Sequence, residues 1–140
     1  MINIRQELEV AKKASEIAAA LLIDNKDNIN KILSNEGRDV KLKADLESEK
    51  VIKEYLLANS NFPILAEESG ANQDLGNSFW VVDPLDGTSN YSRDFPMCCI
   101  SIALIYENEI TLGVINDFNR GSLYEGSTDS RAKLNGADIF

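Results

Sequence analysis

Two acidic clusters stand where carboxylates are costly unless something pairs with them. Glu67-Glu68 follows the apolar run Pro63-Ile64-Leu65-Ala66, and Asp83 with Asp86 follows Phe79-Trp80-Val81-Val82. Acids at the ends of buried strands must be solvated, paired or bound to a cation. Oxygen ligands without histidine point to magnesium or a similar hard ion, not zinc. Pro84 fixes its own φ and pushes Asp83 toward an extended conformation, so Asp83 ends its strand with the carboxylate held in one direction. Asp86 comes three residues later, across what reads as a tight turn, so both acids can approach one centre. Gly87 permits close backbone approach. If the turn opens into a short helix, the amides of Gly87, Thr88 and Ser89 face an anion. Carboxylate-held cations beside free amide donors are what a phosphate monoester needs for attack by water.

Each piece also has a plainer reading. Asp86-Gly87 alone is more often a hairpin turn than a metal site. Glu-Glu after a strand is usually a solvated loop start, the plainer reading of Glu67-Glu68. Asp45 can serve as a helix N-cap, and Thr88 as another. Lys41, Lys43, Lys50 and Lys53 read as a solvated face. Asp94 and Asp117 read as polar residues at a loop and a strand end. Cys98 and Cys99 lie in an apolar run and read as buried small hydrophobes, not nucleophiles.

Composition narrows the chemistry further. The chain has 140 residues, a length that fits one domain, and is 44% hydrophobic, enough for a core. The formal net charge of −9 disfavours nucleic acid polymers and anionic membranes as partners. The absence of histidine removes a Ser-His-Asp triad, a Cys-His pair and any His-ligated zinc site from within the sequence. Two adjacent cysteines give no disulfide framework and suit a reducing cytoplasm. The start Met1-Ile2-Asn3-Ile4-Arg5-Gln6-Glu7 lacks a basic, apolar leader, so no signal peptide is expected. No apolar run is long enough to span a membrane.

The elements that must position these acids follow from periodicity. Ile4, Leu8, Ala11, Ser15, Ala18 and Leu22 form one stripe and predict a helix over about 3–23. Residues 25–30 break or restart it, and Ile29, Ile32 and Leu33 supply another short apolar face. Glu36-Gly37-Arg38-Asp39 reads as a loop and 40–43 as a short strand. Asp45 then starts a helix ending near Ala58, with Glu47 and Glu49 in its first turn and Val51, Ile52, Tyr55 and Leu56 on its apolar face. Residues 63–66 and 79–82 are buried strands separated by a polar loop over 69–78. Strands over 97–106, 110–118 and 122–125 form an antiparallel meander. The class is therefore α+β, with N-terminal helices on a mostly antiparallel sheet.

The stretch from Trp80 to Tyr91, with Asp83-Pro84-Leu85-Asp86-Gly87-Thr88-Ser89-Asn90, closely resembles the D-P-hydrophobic-D-G-T-x-N-aromatic signature of the inositol monophosphatase superfamily. Ala66-Glu67-Glu68-Ser69 is similar to its G/S-E-E-S/T element. Lys43-Ala44-Asp45 resembles its T-x-A-D element, with Lys43 where threonine is usual. Phe95-Pro96 and Leu134-Asn135-Gly136 also resemble the family's course, although Arg131 stands where a glycine is common. The likeness runs in order along nearly the whole sequence.

This resemblance implies a magnesium-dependent, lithium-sensitive hydrolysis of a small phosphorylated metabolite without a phosphoenzyme. Candidate substrates are an inositol monophosphate or a 3′-phosphorylated adenosine nucleotide. Glu67, Asp83 and the Leu85 carbonyl would hold one Mg2+, Asp83 and Asp86 a second, and Glu67 would touch a weaker third. Asp45 and Thr88 would orient the attacking water, and the amides of Gly87 and Thr88 would bind phosphate. It further implies that residues 1–140 form the front half of a layered α/β/α/β/α sugar-phosphatase fold. The expected missing C-terminal half would carry one further metal carboxylate and most substrate contacts. The alternative is a catalytically silent metal- and phosphate-binding fragment, or half of a two-chain enzyme, with a homodimer as another way to cover exposed apolar surface.

Overall fold

Asn3 starts the first helix, its side-chain Oδ1 accepting the amide of Gln6 at 3.1 Å. The computed structural model describes residues 1–36 and 39–139. Helix α1 (Ile4–Asp24) buries Leu8, Ala11, Ser15, Ala18 and Leu22, the stripe expected from its periodicity. The helix restarts as α2 (Lys26–Ile29) and is followed by β1 (Ile32–Glu36), which pairs antiparallel with β2 (Asp39–Leu42). Ile32 and Leu33 therefore do not extend an apolar helical face; they lie on this two-stranded ribbon at 60% and 52% exposure. Of the loop expected over 36–39, Glu36 and Asp39 belong to strands, and Gly37 and Arg38 lie outside the described residues.

Helix α3 (Lys43–Asn59) follows, and the remaining strands build one eight-stranded sheet. They are β3 (Ile64–Ala66), β4 (Gly70–Ala71), β5 (Phe79–Asp86), β6 (Cys99–Tyr106), β7 (Glu109–Asp117), β8 (Ser122–Ser127), β9 (Ser130–Leu134) and β10 (Ala137–Asp138), with helix α4 (Thr88–Ser92) between β5 and β6. The sheet order is β10-β9-β8-β7-β6-β5-β3-β4. All neighbours pair antiparallel except β3 and β5, which run parallel. The strands β9 and β10 extend the meander beyond its expected end. They turn at Asn135-Gly136, both at positive φ, the conformation a two-residue hairpin loop requires.

Alternation along the strands sends Trp80, Val82, Ile100, Ile102, Leu104, Leu112 and Val114 into the core. Helix α1 lies across β6, β7 and β8, and α3 packs between α1 and β5, so the helices share one face of the sheet. The opposite face carries Val81, Ser101, Ala103 and Gly113, half-buried, with Ile115 and Tyr124 at 46% and 40% exposure. Among the described residues, no helix is long and apolar enough to cross a membrane.

Tyr91 ties α4 to the helical layer. Its ring is buried and its hydroxyl donates to the Leu22 carbonyl at 2.6 Å, with the Lys26 ammonium 4.4 Å from the ring centroid. Tyr91→Phe leaves that carbonyl without its partner and should lower the unfolding free energy by about 1–2 kcal/mol. A urea titration checks this; an unchanged midpoint would show that the bond contributes nothing.

Candidate active site

The two acidic clusters meet because β3 and β5 run parallel in register. Ile64, Leu65 and Ala66 pair with Trp80, Val81 and Val82, so the next residues, Glu67 and Asp83, emerge side by side at the same end. The Glu67 amide extends the ladder to the Val82 carbonyl at 3.2 Å. The two carboxylates touch. Hydrogen-bonding contact with Asp83, partial burial, and the charges of Asp83, Glu68 and Asp45 push the Glu67 carboxyl up to about 7.

The motif after Val82 is not the tight turn that its spacing predicts. Asp83 still pairs with Ser101, and the ladder resumes at Asp86 opposite Cys99, so residues 84–85 form a bulge within β5. Pro84 has no amide to lose from the ladder, which makes it a natural place for the irregularity. The Leu85 amide instead donates to Asp83 Oδ1 at 3.3 Å. Pro84 and Leu85 are buried, and Asp86 is exposed, with the Cys99 thiol 3.9 Å from its Oδ2.

Gly87 then reverses the chain at φ +88°, and a Cβ there would sit 2.7 Å from the Met97 carbonyl. It takes the N-cap position of α4, so Thr88 is the first helical residue and not the cap. The amides of Gly87, Thr88 and Ser89 thus fall at the helix start, where the helical ladder offers no acceptor. The Thr88 hydroxyl lies 2.8 Å from Asp45 Oδ1 and 3.1 Å from the Leu85 carbonyl.

Asp45 is not an N-cap either. It is the third residue of α3, 2% exposed, and its Oδ2 accepts the Leu42 amide at 2.8 Å. That is the acid half of a capping box. Burial raises its carboxyl, and the bonds from Leu42 and Thr88 oppose this.

Glu68 has a partner of its own. Its carboxylate pairs with Lys41 at 2.9 Å, while Lys53 donates to the Ser69 hydroxyl at 2.9 Å. Two of the four lysines expected on a solvated face therefore brace the Glu67–Ser69 turn. The Glu68 amide donates to Oε1 of Glu49 at 2.8 Å, and the Ser48 hydroxyl donates to the Pro84 carbonyl at 2.7 Å. Ser48 and Glu49 were not foreseen as site residues. Glu49 lies in the second turn of α3, where it is buried, and is not a first-turn dipole partner. The available signal was their helical register with Asp45, Ile52 and Leu56, which puts two polar residues on an inward stripe.

Asp45 is thus joined to Thr88, and Glu67 to Asp83, while Asp86 stands beyond the bulge. Among the described residues no three histidine, cysteine, aspartate or glutamate side chains close around one point. Cys98 fits its plainer reading as a buried small hydrophobe, whereas Cys99 is only half-buried. Burial raises the Cys98 thiol, and burial with the Asp86 charge pushes Cys99 up to about 11, so both stay protonated near neutrality. Asp94 pairs with Lys26, and Asp117 pairs with Arg120.

Comparison with known proteins follows the same course. The sequence model of the inositol monophosphatase family matches residues 3–139. The chain is 35% identical over 137 residues to the inositol-1-monophosphatase of Synechocystis, covering 95% of this chain and 47% of that protein. It is 39% identical over 133 residues to the Nus factor SuhB of Xylella fastidiosa, covering 91% and 47%. The solved structure of inositol monophosphatase from Anabaena superposes with a TM-score of 0.82 at 31% identity, covering 99% of this chain and 50% of that one. The chain spans about half the length of the curated relatives it matches.

Two outcomes follow from this geometry. Gly87→Ala should lower the unfolding free energy by about 2 kcal/mol or more, because strain at positive φ adds to the clash with Met97. Gly121→Ala, at φ +63° with nothing within 4 Å, should cost only about 1 kcal/mol in the same denaturation experiment. The Glu67 carboxyl sits near 7 in the folded chain against an ordinary 4.5, so between these values the folded state holds the extra proton. Its contribution therefore falls as pH rises through that window. The metal-free melting temperature should drop across it more steeply for the parent than for Glu67→Gln; parallel pH profiles would contradict the apposition.

Proposed function

Because the chain belongs to the inositol monophosphatase family, we propose that it supplies the metal- and phosphate-binding front of a magnesium-dependent phosphomonoesterase. The observation that carries this reading is the Glu67–Asp83 pair. Their contact raises Glu67 to about 7, whereas a divalent cation between them would turn repulsion into attraction. The oxygen-only donors fit a hard ion. Glu67, Asp83, the Leu85 carbonyl and Asp86 would hold two or three Mg2+ ions. Such ions, when bound, neutralise phosphate oxygens and lower the pKa of water.

The remaining chemistry belongs to side chains and amides. The Thr88 hydroxyl has one proton and two acceptors, and Asp45 Oδ1 is the nearer at 2.8 Å. With its proton aimed at Asp45, the Thr88 oxygen can accept a proton from an incoming water. As the water attacks phosphorus, its proton passes to Thr88 and the Thr88 proton passes to Asp45, while the ester P–O bond breaks and the departing alkoxide takes a proton from solvent water. The amides of Gly87, Thr88 and Ser89 would hold the phosphate in line. Both thiols are raised in pKa, which argues against a cysteine nucleophile and fits the direct hydrolysis proposed here. The substrate would be an inositol monophosphate or a 3′-phosphoadenosine-type nucleotide, with lithium as inhibitor. The name of the Synechocystis relative favours the inositol ester.

A second reading has its own support. The curated relatives carry about as much length again as the matched span, and one face of the sheet is apolar and half-exposed. On that reading these residues bind metal and phosphate, and turnover needs the additional length.

Phosphate release from both ester classes, with Mg2+ and with or without Li+, tests the proposal. Asp83→Asn should lower the rate by about 10²-fold or more, because it removes the shared carboxylate. Near-normal turnover in that variant would sink the assignment. Release that is absent from the folded chain, and restored by adding the second half of a relative, would favour the second reading.

A further inference from the structure

Adjacent residues on one helix grip the two acidic segments. Glu49 Oε1 accepts the Glu68 amide at 2.8 Å, one residue from Glu67, and the Ser48 hydroxyl donates to the Pro84 carbonyl at 2.7 Å, one residue from Asp83. Ser48 is 0% exposed and Glu49 4%, so neither is positioned by solvent. Asp45, one turn earlier, holds Thr88 from the same helix at 2.8 Å. Strand pairing brings Glu67 and Asp83 to the same end, but the Glu67–Ser69 turn and the Pro84–Leu85 bulge that follow them are irregular backbone whose course the ladder does not set. A helix is stiff, and neighbouring residues on it keep a fixed separation.

We propose that Ser48 and Glu49 are positioning residues that fix the separation of the Glu67 and Asp83 carboxylates, and with it their affinity for a divalent cation. The proposal rests on the metal reading of that pair. Neither side chain touches the cation. Ser48 acts through the Pro84 carbonyl and Glu49 through the Glu68 amide. Hydrogen bonds that orient ligand-bearing backbone in this way typically govern affinity by about 10–100-fold.

Mn2+ binding to the whole chain, followed by the electron paramagnetic resonance of the free ion, tests this without any need for turnover. Glu49→Ala should weaken binding by about tenfold. Glu49→Gln keeps an oxygen that can accept the Glu68 amide and should bind within about twofold of the parent. Equal weakening by both variants would mean that the charge of Glu49 matters and its hydrogen bond does not, which overturns the proposal. Parental affinity in Glu49→Ala overturns it as well. Ser48→Ala provides the second arm if Glu49→Ala does not fold; it should weaken Mn2+ binding by several-fold, and unchanged affinity counts against the proposal. Asp83→Asn separates the two levels. If the parent binds Mn2+ and Asp83→Asn does not, while Glu49→Ala and Ser48→Ala bind like the parent, only the positioning claim fails. If the parent takes up no Mn2+, the metal reading fails and takes the positioning claim with it.

Discussion

The apposition of Glu67 and Asp83 is the constraint around which the rest of the structure is arranged. Two like charges are brought into contact by the parallel pairing of β3 with β5, the one parallel pair in a sheet otherwise antiparallel among its described strands. In an antiparallel pair the C-terminal ends of neighbouring strands point to opposite edges. Here both strands run the same way, and the residue after their last paired position is an acid in each. The repulsion is held against burial by the large apolar layer under β5, where Trp80 and Val82 are buried with Ile100, Ile102 and Leu104. That layer stabilises the sheet strongly enough to keep an unfavourable charge pair at its rim.

Helix α3 converts this rim into a defined geometry. Asp45, Ser48 and Glu49 share a face with Ile52 and Leu56, so the packing that seats the helix also aims its three polar side chains. Each reaches a different segment: the start of α4, the bulge in β5 and the turn after β3. Polar groups so deeply buried are favourable only when their partners are met. Their hydrogen bonds therefore make the position of one helix and the position of three loops a single problem.

Much of this was legible in the sequence, for physical reasons that differ by region. The α1 stripe and the β6–β7 alternation were readable because each element buries one face against one layer. The ribbon β1–β2 was not, because Ile32 and Leu33 are exposed and their apolar character reports no core. The acids Glu67, Asp83 and Asp86 were visible as costly charges after apolar runs. In sequence the bulge reads as a turn, because Pro84 suits either and only pairing with Ser101 and Cys99 decides. Asp45 reads as a cap because the true cap position, Leu42, three residues earlier, carries no capping side chain. Ser48 and Glu49 were hidden because their partners are a carbonyl and an amide far along the chain, which periodicity cannot name.

Calorimetric titration of Mg2+ into the metal-free chain, in buffers of different ionisation enthalpy, addresses the central claim most directly. A carboxyl near 7 must lose its proton to become a ligand. Binding at pH 7 should therefore release about half a proton, falling toward zero at pH 9, and the release should vanish in Glu67→Gln. Binding without proton release, or release unchanged in Glu67→Gln, would show that the cation does not sit between these two carboxylates. No binding at all would contradict the account outright.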